Sequence, residues 1–252
     1  MIIKKVFIYL FISVLIAPVF GQIKPGETLI FAASYEISGL MTNIAQVTMQ
    51  TENISTSKNT FLHLRVEAET FKKWDSFFKV RDLYESYVNP ANLKPSMYKR
   101  NVLEGDYTKT EKYVFNSDGK TVNSTSKRKT KPEVKKTFNK SAASVDVVTL
   151  LYKIRTSDFS KLKPGQSISY SIVFDEKEYP VSIKLMGKET ISAGNLGKKE
   201  CYKLSIGAKT NKLKGKDNNL IWLSTDKKIP CKVQFSIPVG VGQLTLSKAS
   251  GI

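Results

Sequence analysis

The chain has 252 residues, with 40 Lys and Arg against 22 Asp and Glu, a formal charge of +18, and 41% hydrophobic residues. That apolar share supports a packed core and excludes a disordered polyelectrolyte. Two cysteines and one histidine are too few for a disulfide scaffold or a zinc site of the usual kinds.

Lys4 and Lys5 precede an uncharged, mostly apolar run from Val6 to Phe20. A short run behind a basic start predicts a secretory signal peptide over residues 1–21, cleaved after Gly21. It is shorter than the ~20 apolar residues of a spanning helix. The expected location is the periplasm, and the mature chain from Gln22 carries about +16 after losing those two lysines. Such a charge favours anionic partners, and export disfavours nucleic acid among them.

Lys24-Pro-Gly opens the mature chain, and Lys163-Pro-Gly repeats it. Pro presets the second position of a turn and Gly supplies positive φ at the third. A half-buried strand follows each time: Leu29, Phe31, Ala33 and Tyr35 share one face with Ser34 and Glu36 opposite, and Ile168, Tyr170, Ile172 and Phe174 alternate with Ser169 and Ser171. Turn plus strand is enough to produce the echo without a duplication. Further alternating runs cover Ala45–Met49, Leu62–Ala68, Val181–Leu185, Tyr202–Ile206, Ile221–Leu223, Val233–Ile237 and Leu244–Leu246. Asp118-Gly119 predicts a hairpin turn. Only residues 144–156 carry helical spacing, with Ser144 as the expected cap. The predicted fold is mainly all-β: a large curved antiparallel sheet, an open β-roll or half-barrel, with one helix near 144–156. It forms a single β-rich domain over 22–252, made of two halves, 22–140 and 141–252.

Between Phe77 and Tyr107 two strands flank the loop Asn89–Ser96. One register there pairs Arg81 with Glu104, Glu85 with Arg100 and Tyr87 with Tyr98. The two carboxylates would resemble a glycosidase pair, but an arginine beside each holds it ionised and unfit as a general acid. The pairs therefore read as structural. His63 lies on the polar face of its strand and reads as a surface residue. No nucleophile elbow, phosphate loop or dinucleotide fingerprint occurs, so no catalytic residue, metal or cofactor is assigned.

Two basic stretches remain. Lys127, Arg128, Lys129, Lys131, Lys135 and Lys136 lie in one, and Lys212, Lys214 and Lys216 in the other. They form a candidate basic rim for phosphate or sulfate groups, weighed against solvated hairpin tips whose lysines discourage edge pairing. Cys201 alternates with Lys203 and Ser205, whereas Cys231 alternates with Val233 and Phe235. That difference argues against a bridge between them, although export permits one.

The segments "GETLIFAASYEISGL", "FKVRDLYESYV", "EGDY", "VDVVTLLYKIR", "PGQSISYSIVFDEKEYPVSI" and "IWLSTDKKIP" together resemble the exported bacterial proteins grouped as domain of unknown function 3108. The last is the most specific, with Trp222, Leu223, Ser224, Asp226 and Pro230 in place. The resemblance implies a curved, mostly antiparallel sheet with a helix laid against it, in the cell envelope, and no reaction. It is similar at fold level to half-open periplasmic lipoprotein carriers. The basic run at Lys127–Lys136 is outside the family pattern.

The expected function is a non-enzymatic binding module for an anionic amphiphile, a lipid or glycolipid, held on the concave apolar face with a basic rim at its head group. The alternative is an assembly partner for another envelope protein, and a hydrolase is the remote one.

Overall fold

The computed structural model describes residues 23–37, 39–208, 219–237 and 240–252. The expected signal peptide lies outside them. Among the described residues fourteen strands form one antiparallel sheet. In chain order they are β1 (Thr28–Ile37), β2 (Leu40–Ser55), β3 (Thr60–Thr70), β4 (Arg81–Val88), β5 (Pro95–Glu104), β6 (Tyr107–Phe115), β7 (Thr121–Arg128) and β8 (Val134–Asn139). Then follow β9 (Ser167–Phe174), β10 (Lys177–Ser192), β11 (Lys198–Ala208), β12 (Leu220–Ser224), β13 (Pro230–Ile237) and β14 (Gly240–Ser250). Among the described residues two α-helices accompany them, the single turn α1 (Asp75–Phe78) and α2 (Val147–Arg155), with three short 3-10 turns.

Each half of the chain is a meander in which sequential strands pair, β1 to β8 and β9 to β14. The two join where β14 pairs with β1. The outermost strands are therefore β8 and β9, and the chain passes from one edge to the other through α2. Both Lys-Pro-Gly turns form as the sequence predicts, with Gly26 at φ 87° and Gly165 at φ 91°, each opening a strand. The Asp118-Gly119 turn also forms. Asp118 accepts from the Lys120 and Thr121 amides.

The sheet curls around α2. Val148 and Tyr152 pack with Leu29, Phe31, Met49, Leu62 and Leu64 of the first meander. Leu150 and Ile154 pack with Val181, Ile183, Tyr202 and Leu204 of the second. One helix thus buries two faces, which its alternating apolar residues allow. Its cap is Asp146, not the predicted Ser144. Asp146 accepts from the Thr149 amide and hydroxyl, both at 2.8 Å, and from Ser86 of β4 at 2.8 Å. Burial pushes this carboxyl up, and those three donors oppose the shift. Ser144 instead donates to Glu178. At the other end Arg155 forms a bidentate pair with Glu27, both bonds 2.6 Å, and donates to the Lys228 carbonyl at 3.0 Å.

The two edges of the curl do not meet as a strand ladder. The β9–β10 turn, Asp175-Glu176, has φ 47° and 60°, the twist of a tight hairpin. It reaches across to β5–β8. Asp175 lies 2.5 Å from Arg100 and 2.8 Å from Lys109. The Glu176 amide donates to the Tyr113 hydroxyl, and its carboxylate accepts from Ser124 at 2.9 Å and Lys136 at 2.7 Å. Fully buried Glu111 completes the cluster, 3.0 Å from Arg100 and 2.9 Å from Lys109, as charge contacts rather than aligned hydrogen bonds. These contacts, mostly of charged side chains, close the curl in place of a backbone ladder. Val145 pairs with Ile172 and covers part of the β9 edge.

Candidate functional site

The β4–β5 register differs from the predicted one by one residue. Leu83 faces Asn101, Tyr84 faces Arg100, Glu85 faces Lys99 and Tyr87 faces Met97. A one-residue slip exchanges the faces of a strand, so neither predicted charge pair exists. Arg81 pairs with Asp75 at 2.6 Å. Arg100 points inward to Glu111 and Asp175. Glu85 points outward to His63, 2.9 Å away. The inward face of these strands carries Asp82, Ser86 and Arg100, all buried. The reason is tertiary: α2 and the β9–β10 turn bring polar partners to that face.

Glu104 stands beside Asp82. Burial first, and the Glu104 charge second, push Asp82 up to about 6. Asp82 also accepts from the Leu103 amide at 3.0 Å. This is a strand-end carboxyl pair, with no described cavity beside it.

His63 is buried, contrary to the surface placement. Its ring nitrogens lie 2.9 Å from Glu52 and Glu85, and it stacks on Tyr87 at 4.4 Å. An open groove of about 420 Å³ runs past it, lined by Thr28, Gln50, Glu52 and Arg65. The period-two rule placed His63 on the polar face correctly. It could not show that the neighbouring strands' long side chains cover that face.

The predicted basic rim is only partly a free cationic surface. Lys136 pairs with Glu176 across the curl, Lys135 lies 3.6 Å from Glu133, and Arg128 covers the Tyr107 ring at 4.8 Å. Lys127, Lys129 and Lys131 are exposed at the β7–β8 hairpin. Lys212, Lys214 and Lys216 lie outside the described residues. Cys201 and Cys231 are both buried free thiols in one cluster, donating to the Lys199 and Ile229 carbonyls, so the expected difference in their facing does not hold. Cys231 falls at a bulge, where Trp222 pairs with Lys232 but Leu223 with Pro230. The extra residue breaks the alternation on which the expectation relied.

A different set of lysines does converge. A cleft of about 220 Å³ opens where the β4–β5 loop, the β6–β7 turn and the segment before α2 meet. Lys94, Lys140 and Lys153 line it, with Asn92, Asn116 and Ser144 as polar neighbours and Pro95, Phe115 and Val145 as apolar wall. No carboxylate belongs to this lining. Lys140 is buried and donates to the carbonyls of Gly119 and Ser141, both at 3.0 Å. Burial and then the charge of Lys94 lower its pKa. Glu178 and Asp118 partly offset this crowding, and an anion in the cleft would relieve it further. The lining residues come from three separate segments and from α2 itself, which carries Lys153, and none belongs to a recognisable motif. Among the described residues no three His, Cys, Asp or Glu side chains gather as metal ligands would.

The chain belongs to the family described as protein of unknown function (DUF3108), whose profile matches residues 31–247. No curated protein matches the sequence. A solved structure with a similar fold is a beta-barrel-like protein of domain of unknown function DUF1849 from Brucella abortus. It superposes with a TM-score of 0.56 at 9% identity, over 90% of this chain and 97% of that one. At that identity the likeness concerns the fold alone.

Proposed function

We propose that this chain is an exported, non-enzymatic binding module of the cell envelope that holds the anionic head group of an amphiphile in the cleft beside α2. The convergence of Lys94, Lys140 and Lys153 on a lining without carboxylates supports this reading. The apolar wall of Phe115, Pro95 and Val145 gives the first carbons of an acyl chain a place to lie. The interior of the curl is occupied by Val148, Tyr152, Leu150 and Ile154, so the acyl chain does not enter it. At about 220 Å³ the cleft is smaller than the roughly 300–1,000 Å³ of sites that enclose whole drug-sized ligands.

A hydrolase finds less support. Both ring nitrogens of His63 are engaged by carboxylates, Glu52 and Glu85, rather than by the hydroxyl or thiol of a nucleophile. An assembly role through strand addition at β8 is disfavoured by Lys135 and Lys136 on that edge.

Calorimetric titration with dodecyl phosphate and with neutral dodecyl maltoside tests the proposal. The phosphate should bind and the maltoside should not. The combined Lys94→Ala and Lys153→Ala variant should weaken phosphate binding about tenfold or more, as lost charge-assisted contacts do. Equal affinity of variant and wild type would remove the cleft from consideration.

A further inference from the structure

Antiparallel meanders place alternate connections on the same rim of a sheet. The β1–β2 turn, the β3–β4 connection and the β5–β6 and β7–β8 turns therefore share one rim. The lysine cleft, built from the β4–β5 and β6–β7 connections, lies at the other. The β3–β4 connection reads Phe71-Lys-Lys-Trp-Asp-Ser-Phe-Phe-Lys79. Its apolar side chains point outward: Phe77 is 79% exposed, Phe78 56% and Phe71 39%. Leu40 and Met41 at the neighbouring β1–β2 turn are also exposed.

This connection is held rigidly. Arg81 forms two bonds to Asp75, at 3.0 and 2.6 Å, and donates to the Thr70 carbonyl and hydroxyl. Thr70 in turn donates to Asp75 at 2.6 Å and accepts from the Val80 amide. The Trp74 indole donates to the Asn43 carbonyl at 3.1 Å. Phe78 packs over Gly105, where a side-chain carbon would come within 3.2 Å of its ring. A part-buried polar network thus holds large aromatics toward solvent. The single acid of the segment, Asp75, is neutralised by Arg81, while Lys72, Lys73 and Lys79 are exposed. Lys129 and Lys131 are exposed farther along the same rim.

We propose that this rim docks the protein onto an anionic lipid bilayer, with Phe77 and Phe78 entering the head-group boundary and Lys72, Lys73 and Lys79 meeting lipid phosphates. Trp and Phe beside lysines suit the membrane–water interface, and basic residues at such a surface are drawn to anionic lipid. The charge of the β3–β4 connection, three exposed lysines with Asp75 paired to Arg81, selects this occupant over an apolar protein face, and Glu104 and Asp106 of the β5–β6 turn are the exposed acids beside it. The docking surface is independent of the lysine cleft and goes beyond the head-group reading.

The test uses the chain from Gln22 onward, which keeps every described element, and vesicles of phosphatidylglycerol and phosphatidylcholine. Lipids with brominated acyl chains should quench Trp74, while buried Trp222 serves as the internal reference. Phe77→Ser with Phe78→Ser should weaken vesicle binding at least about tenfold. Phe77→Ser alone, which gives up only the tilted contact with the Trp74 ring at 5.6 Å, should weaken it by a smaller factor. Replacing Lys72, Lys73 and Lys79 by Gln should weaken binding at low salt and flatten its salt dependence. Lys94→Ala with Lys153→Ala should leave Trp74 quenching unchanged, so failure of the cleft and failure of the rim are distinguishable. An unquenched Trp74, or vesicle affinity unaffected by the Phe substitutions, would overturn the proposal. Retention instead by a soluble protein partner, with no vesicle binding, would do the same.

Discussion

Arg155→Met isolates the contact that ties the three parts of the core together. Arg155 and Glu27 are both almost fully buried, with two 2.6 Å bonds between them. They join the start of β1, the end of α2 and, through the Lys228 carbonyl, the β12–β13 turn. Methionine keeps much of the arginine's length but leaves the Glu27 carboxylate buried without its partner. Breaking such a pair from one side costs about 3–5 kcal/mol. For a chain of this size that corresponds to a melting point lower by roughly 6–20 °C. Urea unfolding followed by circular dichroism measures the change. The second arm is the double variant Glu27→Leu with Arg155→Met, which removes both charges. It should recover a substantial part of the loss, because replacing a whole buried pair by apolar groups is often close to neutral. A single variant that loses less than about 1 kcal/mol would show that water reaches the pair and that the tie is not buried. A double variant no more stable than the single one would show that shape, not charge, holds this corner.

Three further outcomes follow from the same contacts. The raised Asp82 pKa of about 6 means that the folded state binds a proton more tightly than the unfolded state. Its contribution is fully present below the unfolded value near 4 and is lost as pH rises through 6. Asp82→Asn should therefore stabilise the protein at pH 7 by about 1–3 kcal/mol, and the gain should vanish by pH 4 in unfolding curves compared with wild type. Equal pH profiles for the two would refute the assignment. Asp146→Ala removes the α2 cap, leaves the Thr149 amide without its acceptor, and leaves the Ser86 and Thr149 hydroxyls only each other, 2.9 Å apart. A loss of about 2 kcal/mol or more is expected by urea unfolding, with a smaller loss for Ser144→Ala; the reverse order would restore Ser144 as the cap. Cys201 and Cys231, both fully buried, should resist a thiol reagent in the native protein and react together once it is unfolded. Fast labelling of either thiol without unfolding would contradict their burial.

Local chemistry was legible in the amino-acid sequence wherever the decisive partner is a near neighbour. The Lys-Pro-Gly turns, the Asp118-Gly119 hairpin, the alternating strands and the existence of a helix beyond residue 144 all depend on contacts a few residues long. The β4–β5 register shows where that reasoning stops. Period-two alternation says which residues share a face, but Asp82, Ser86 and Arg100 make the inner face nearly as polar as the outer one. Which face turns inward is settled by the α2 cap and by Asp175, which is 75 residues from Arg100 in the chain. The bulge that brings Cys231 to Cys201 likewise leaves no local signature. The functional surfaces follow the same division. The basic and aromatic residues of the β3–β4 connection are visible in the sequence, but their exposure is a property of the rim. The lysine cleft exists only because three segments meet there, and curling the sheet around its own helix is what brings them together.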